Sequence, residues 1–387
     1  MNDKHLFGLL VAGMICLLAV CVQPAEAIVA GSATGSPADS PSNRIIDNTD
    51  TSSPFAGVGS IDGRPVGRGT ATPISRWHIL TAAHIVDRNG DTLPDADPGT
   101  FTFNLNYGSD YSSVHTGLDI TVQPDWTGFN NPSVNDDLAI MTLSTPIPAG
   151  VPIYGLYTSQ LRVGKTLDFV GYGRSGYGNV GYTTGATWTV KRWGQNKIGS
   201  REAGDDSGDS GYEVWQADFD GPGGNGLGND VETTFGMGDS GGPAFYYKSG
   251  QYKLAGINTF VSGDAPMFGS GLGGILIKPY ISWINSVLAE PILLPGDVDG
   301  DLFVFEDDLS IIISNWGLSG ATRQQGDLTG DGIVGGPDYN QVLSHWGNGI
   351  PPEPPEPSQA IVAIPEPATV WLLILTAAML ARRKRKQ

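Results

Sequence analysis

The sequence predicts an all-β body closed by one helix, followed by a small α-helical module. Three observations carry this reading. Gly (55) and Pro (27) are abundant among 387 residues and break the chain into short β-rich runs, as in sandwiches and barrels. Residues are 40% hydrophobic and only 16% charged, enough apolar material for a sizeable core. Past Pro295 the composition changes to Asp-rich loops, each leading into an apolar pattern of helical period. The net charge of −18 excludes a nucleic-acid binder, which needs clustered Lys and Arg.

The elements follow in chain order. Lys4, an apolar run over residues 6–22 and Ala25-Glu26-Ala27 have the three parts of a secretory signal peptide, predicting export and a signal over residues 1–27. Both cysteines, Cys16 and Cys21, fall inside it, so the exported body has no disulfides. Residues 28–44 are small and polar, a leader or propeptide-like segment. Residues 45–290 hold the β-rich runs, among them 101–105, 138–143, 166–170 and 252–257. A helix is predicted over 279–288, with Tyr280, Ile284 and Val287 on one face.

Residues 295–349 contain an internal repeat. Asp297-Val298-Asp299-Gly300-Asp301 recurs thirty residues on as Asp327-Leu328-Thr329-Gly330-Asp331. Oxygen ligands at loop positions 1, 3, 5 and 12, with a backbone carbonyl at 7, suit a hard cation such as Ca2+. They are Asp297, Asp299, Asp301, the Phe303 carbonyl and Asp308, then Asp327, Thr329, Asp331, the Ile333 carbonyl and Asp338. The helices that follow carry Leu309, Ile312, Ile313 and Trp316, then Tyr339, Val342, Leu343 and Trp346, with Gly317 and Gly347 as caps. The pair resembles a dockerin domain, which implies calcium and a cohesin-like partner. Leu302 at position 6, Thr329 at position 3, and Phe305 and Gly335 at position 9 depart from that pattern. Glu306-Asp307 and Gly336-Pro337 do not match the common partner-recognition pairs.

A Pro-rich linker over 350–364 precedes Ile364-Pro365-Glu366-Pro367, an apolar run over 368–381 and a basic end over 382–386. This order resembles the PEP-CTERM sorting signal over 365–387. The resemblance implies a sorting protease cutting near 365–367, transient anchoring through a short transmembrane helix, and delivery to the cell surface or matrix. The apolar run is shorter than the roughly 20 residues that span a bilayer comfortably.

Three segments of the body carry chemistry: Leu80-Thr81-Ala82-Ala83-His84, Asn135-Asp136-Asp137-Leu138-Ala139-Ile140 and Gly238-Asp239-Ser240-Gly241-Gly242-Pro243. Singly, each reads as a buried His, a turn acid or a tight Gly loop. Together, in the order His, Asp, Ser and separated by 53 and 103 residues, they resemble the trypsin-like serine proteases over residues 45–288. The fold implied is a chymotrypsin-like double β-barrel with a C-terminal helix. The activity implied is that of a serine endopeptidase, in which a base activates an otherwise weak Ser nucleophile. Ser240 is then the nucleophile, His84 the base and Asp137 its orienting acid, with Asp136 the competing acid. The N–H groups of Gly238 and Ser240 form the oxyanion hole. A second run, Gly208-Asp209-Ser210-Gly211, lacks the following Gly-Pro.

Further likeness lies in Gly171-Tyr172-Gly173, residues 254–257 and 280–284, whereas Ile85 replaces the Cys usual after the His. In the family, a freed N-terminal Ile or Val pairs with the Asp before the nucleophile, here Asp239. Signal cleavage exposes Ile28, 56 residues before His84; Ile45 lies 39 before it, nearer the usual gap, so spacing favours Ile45. Thr234, Thr259, Phe260 and Val261 map to the specificity pocket and imply small or medium apolar substrate residues, with Glu232 nearby. The alternative is a catalytically inactive scaffold acting as a calcium-dependent adhesion or binding protein. Against it stands the complete His, Asp and Ser set.

Overall fold

The computed structural model describes residues 28–34, 39–105, 112–128, 135–204, 211–221, 224–227 and 231–351. The chain divides into two units, Met1–Pro291 and Ile292–Gln387. In the first, β1 (Gly59–Gly63), β2 (Gly67–Pro73), β3 (His78–Thr81), β4 (Thr102–Leu105), β5 (Ser113–Val122) and β6 (Ala139–Leu143) form a closed barrel in the order β1-β2-β3-β6-β5-β4. Alternation places the side chains: Phe103 and Leu105 of β4 are buried, while Thr102 and Asn104 between them are half-exposed.

The strands that follow are β7 (Thr166–Gly171), β8 (Ser175–Tyr177), β9 (Gly181–Thr184), β10 (Arg192–Lys197), β11 (Ser200–Ala203), β12 (Tyr212–Asp218), β13 (Pro243–Lys248), β14 (Gln251–Ser262) and β15 (Gly271–Leu276). The expected second barrel is instead a seven-stranded sheet ordered β10-β7-β13-β14-β15-β12-β11, with β8-β9 a separate pair. Its two ends, β10 and β11, share no ladder but are joined in the chain through Ile198 and Gly199.

Packing does the work that disulfides do elsewhere. Phe55 stands against Tyr252 with ring centroids 4.8 Å apart, and Tyr154 against Phe245 at 4.6 Å; such pairs contribute about 0.5–1.5 kcal/mol beyond area burial. The predicted terminal helix is a turn, Lys278–Tyr280, continued by α1 (Ile281–Leu288), and it buries the expected face of Tyr280, Ile284 and Val287.

In the second unit, α2 (Glu306–Ser314) and α3 (Gly336–Ser344) each follow an Asp-rich loop. The core is built from pairs thirty residues apart: Val298 with Leu328, Val304 with Val334, Ile312 with Val342. The helical face is narrower than its sequence pattern indicated. Trp316 and Trp346 remain 57% and 39% exposed, because two nine-residue helices and two short loops offer too little surface to cover them.

Among the described residues no helix is long and apolar enough to cross a membrane. The longest have nine residues, about 13 Å at 1.5 Å per residue against a hydrocarbon core of about 30 Å. The expected transmembrane anchoring, and the membrane-anchored localisation resting on it, are therefore corrected. The apolar run 368–381, the rest of the 365–387 signal and the signal peptide 1–27 lie outside the described residues.

Candidate active site

His84 sits in the tight turn Ala83–Ile85 that follows β3, and Asp137 lies two residues before β6, which pairs with β3. Strand pairing thus brings the two together. His84 Nδ1 lies 2.7 Å from Asp137 Oδ2, while the His84 backbone N–H donates to Oδ1 at 2.9 Å. Asp137 is fully buried and is fixed to His84 at two points, the ring and the backbone. Asp136 turns away: its backbone is left-handed (φ 64°), and its Oδ1 accepts the Tyr280 hydroxyl at 2.9 Å. Tyr280→Phe removes that bond from a buried acid beside Asp137. The change is expected to lower stability by about 1–3 kcal/mol and to slow turnover, read by urea unfolding and peptide hydrolysis on one sample.

Ser240 follows a loop held from three directions. Thr70 of β2 donates its N–H to the Ser240 carbonyl at 2.8 Å and its hydroxyl to the Gly238 carbonyl at 3.0 Å. Asp239 accepts Gly236 N–H at 2.7 Å and Gly173 N–H at 2.8 Å. Gly241 N–H bonds the Asn258 carbonyl at 2.8 Å. Among the described residues no acceptor meets the N–H of Gly238 or Ser240. Gly238 has φ 105°, and a Cβ there would stand 2.6 Å from the Trp188 ring, so both backbone and space demand glycine. His84, Gly238 and Ser240 line one cleft of about 450 Å³.

The N-terminal segment corrects the spacing argument. Ile28 is wholly buried and its N lies 3.2 Å from Asp239 Oδ2, whereas Ile45 is 39% exposed and bridges to Arg192. Val29 N–H donates to the Thr234 carbonyl at 3.1 Å, and Ala30 N–H to that of Gly176 at 3.0 Å. Spacing misled because the chain between the two candidates includes an arm tied down by a buried ion pair. The Arg44 guanidinium bonds Asp39 and the carbonyls of Val231 and Glu232. An Arg so enclosed cannot present the 44–45 bond to a protease. Burial pushes the Asp239 carboxyl up to about 6, against the backbone N–H donors around it and the attraction of Arg192.

The four residues expected at the specificity pocket do not gather at this cleft. Thr234 and Thr259 are buried, Phe260 packs over Gly273 of β15, and Val261 is on the surface. Thr259 falls at the bulge in the β14–β15 ladder. Ser210 of the second Gly-Asp-Ser-Gly run lies outside the described residues. Thr70 was missed by sequence reasoning, and no local signal marks it: its role comes from β2 crossing the loop that carries Ser240.

In the C-terminal unit, carboxylates of Asp297, Asp299 and Asp308, and of Asp299, Asp301 and Asp307, come within 4.8 Å of one another. Both sets could chelate a divalent cation, and both belong to the first loop. Burial, with the neighbouring acids adding to it, raises the carboxyls of Asp297 and Asp308. In the second loop the Thr329 hydroxyl donates to Asp338 at 2.9 Å, so a protein hydroxyl stands where the first loop has a third acid. A loop passed over in the sequence shares this design. Asp87 accepts Gly90 and Thr92 N–H, Asn89 accepts Asp91, and Asp91 accepts Leu93. Asp297, Asp299 and Asp301 do the same with Gly300, Leu302, Asp301 and Phe303. The shared Asp-x-Asn/Asp-Gly-Asp spacing was the available signal; here it shapes the chain just after His84.

Compared with known proteins, residues 47–284 match the model of the trypsin family. Among solved structures, neuropsin, a serine protease expressed in the limbic system of mouse brain, aligns at 17% identity. The alignment covers 62% of this chain and 98% of that one, with a TM-score of 0.45. No curated protein matches.

Proposed function

We propose that this chain, which belongs to the trypsin family of serine proteases, hydrolyses peptide bonds through Ser240, His84 and Asp137. The observation that carries the reading is the doubly bonded His84–Asp137 pair opening onto the cleft that Ser240 shares. In the mechanism, Asp137 holds the proton on Nδ1, which leaves Nε2 basic and able to take the Ser240 proton as Oγ attacks the scissile carbonyl. The developing oxyanion is met by the N–H groups of Gly238 and Ser240, worth about 3–4 kcal/mol per donor in comparable sites. His84 then protonates the leaving nitrogen, and water repeats the cycle on the acyl-enzyme. Fluorophosphonate labelling of the exported protein beside its Ser240→Ala variant tests this. Label on the first alone supports it, and label on neither, in folded protein cut before Ile28, overturns it.

Asp239 is the proposed partner of a freed Ile28 ammonium, and residues 28–44 then stay with the protease domain of 45–290. Thr234, Thr259, Phe260 and Val261 stay proposed only as a wall for small or medium apolar side chains.

For residues 295–349 the proposed role is a dockerin-like calcium module with a cohesin-like protein partner, joined by the 350–364 linker to a segment cut by a sorting protease. The first loop fits the ion: Asp297, Asp299, Asp301 and Asp308 with the Phe303 carbonyl supply hard oxygen donors, and gathered carboxylates are stabilised by a cation. The second set, Asp327, Thr329, Asp331 and Asp338 with the Ile333 carbonyl, is one charge poorer. Calcium titration of the whole protein by calorimetry is therefore expected to show two classes of site. Asp297→Asn should abolish the tighter one. At calcium a hundredfold above its Kd, the tighter site adds about 2.7 kcal/mol to the unit's stability, which a chelator should remove in a thermal melt.

A further inference from the structure

The cleft at Ser240 carries a charge that neither the catalytic cycle nor the fold requires. Besides His84, Gly238 and Ser240 it is lined by Arg68, Arg88, Ile85 and Met237, and among the described residues no acidic side chain lines it. That is unexpected in a chain with 40 acidic and 22 basic residues. The Arg68 guanidinium lies 4.5 Å over the Trp188 ring and 3.0 Å from Asp62. Asp62 also binds Arg64 at 3.0 Å, so one carboxylate serves two cations. Arg88 donates to the Val66 carbonyl at 3.1 Å, and among the described residues no carboxylate pairs with its side chain. Its loop places Asp95 on the Arg88 backbone N–H and on Asn89. The corner thus keeps positive charge beside the reacting groups.

Chemistry says which part of a substrate meets it. The leaving nitrogen must receive its proton from His84, so the residues beyond the scissile bond run on the His84 side of Ser240. Ile85 and Arg88 follow His84 in the chain, and the cleft shares no residue with Thr234 or with residues 259–261. We propose that Arg68 and Arg88 make this cleft a subsite for an Asp or Glu side chain in the first two residues on the leaving-group side of the cut. This rests on the protease reading and adds a substrate class to it.

The test uses internally quenched peptides that differ only in those two positions, carrying Glu, Ala or Lys, with the whole exported protein. The expected result is kcat/KM about fivefold higher for Glu than for Ala, the scale of a partly exposed ion pair, and lower for Lys. The ratio should shrink between 0.05 and about 0.5 M salt, as screening requires. Arg88→Ala should bring Glu and Ala peptides close together, and Arg88→Glu should reverse the order of Glu and Lys. Equal rates on the three peptides, a ratio indifferent to salt, or a ratio unchanged in both Arg88 variants would overturn the proposal. Absence of any Ser240-dependent cleavage would instead remove the protease reading beneath it.

Discussion

Ser240→Ala is expected to lower kcat/KM on any cleaved peptide by at least about 10⁴-fold, leaving only what binding and the oxyanion donors supply. The substitution removes one oxygen from a loop whose conformation depends on other atoms. Thr70 holds the carbonyls of residues 238 and 240, and Asp239 holds the N–H groups of Gly236 and Gly173. Folding should be unaffected, so melting temperature and catalysis separate cleanly. His84→Ala should cost a similar factor, and the double variant little more, because the two groups act on one proton. Asp137→Asn is expected to keep the fold yet lose about 10⁴ in kcat, since an amide does not hold the Nδ1 proton in the same tautomer. Steady-state kinetics on the three variants, with fluorophosphonate labelling as active-site count, decides the matter. A Ser240→Ala enzyme with undiminished turnover would reject the assigned nucleophile.

Freeing Ile28 is expected to have the next largest effect. Asp239 is buried with its Oδ2 at the Ile28 nitrogen. In a chain extended before Ile28 that nitrogen is an amide, and Ile28 holds a left-handed backbone (φ 56°), a conformation rare for a β-branched residue. Cutting before Ile28 turns the amide into an ammonium and ends the restraint on φ, which needs a preceding carbonyl. Protein extended by residues no host enzyme removes is expected to be about 10²- to 10³-fold less active than protein starting at Ile28, the scale of losing one oxyanion donor.

The two forms should also differ in their response to pH. In the extended chain the folded Asp239 carboxyl keeps its proton up to about 6, whereas the unfolded group releases it near 3.8. The folded state binds the extra proton between those values. This one group's contribution to stability is therefore fully present below pH 4 and is lost, by about 3 kcal/mol, as pH rises through 6. The cut form, with an ammonium at the carboxylate, should lack this loss. Urea midpoints of both forms from pH 4 to 7.5 measure the difference, and parallel curves would exclude the Ile28–Asp239 pairing.

The sequence by itself determined those features in which neighbouring residues act together. The short strands, the closing helix and the thirty-residue repeat were legible because alternation, helical period and loop spacing are local properties of the chain. The residue types at 84, 137 and 240 were equally plain, since the chemistry admits few substitutes. Only the tertiary structure decided what depends on residues far apart meeting. It placed Ile28 rather than Ile45 at Asp239, because the buried Arg44–Asp39 pair and its arm take up residues that a count along the chain treats as spacing. It set Thr70 under the 238–240 loop, an assignment that follows from one strand crossing that loop. It also ended the second sheet on β10 and β11 without a ladder between them, and left Trp316 and Trp346 partly exposed. Period tells which side of an element is apolar, but only the available partners determine how much of it is buried.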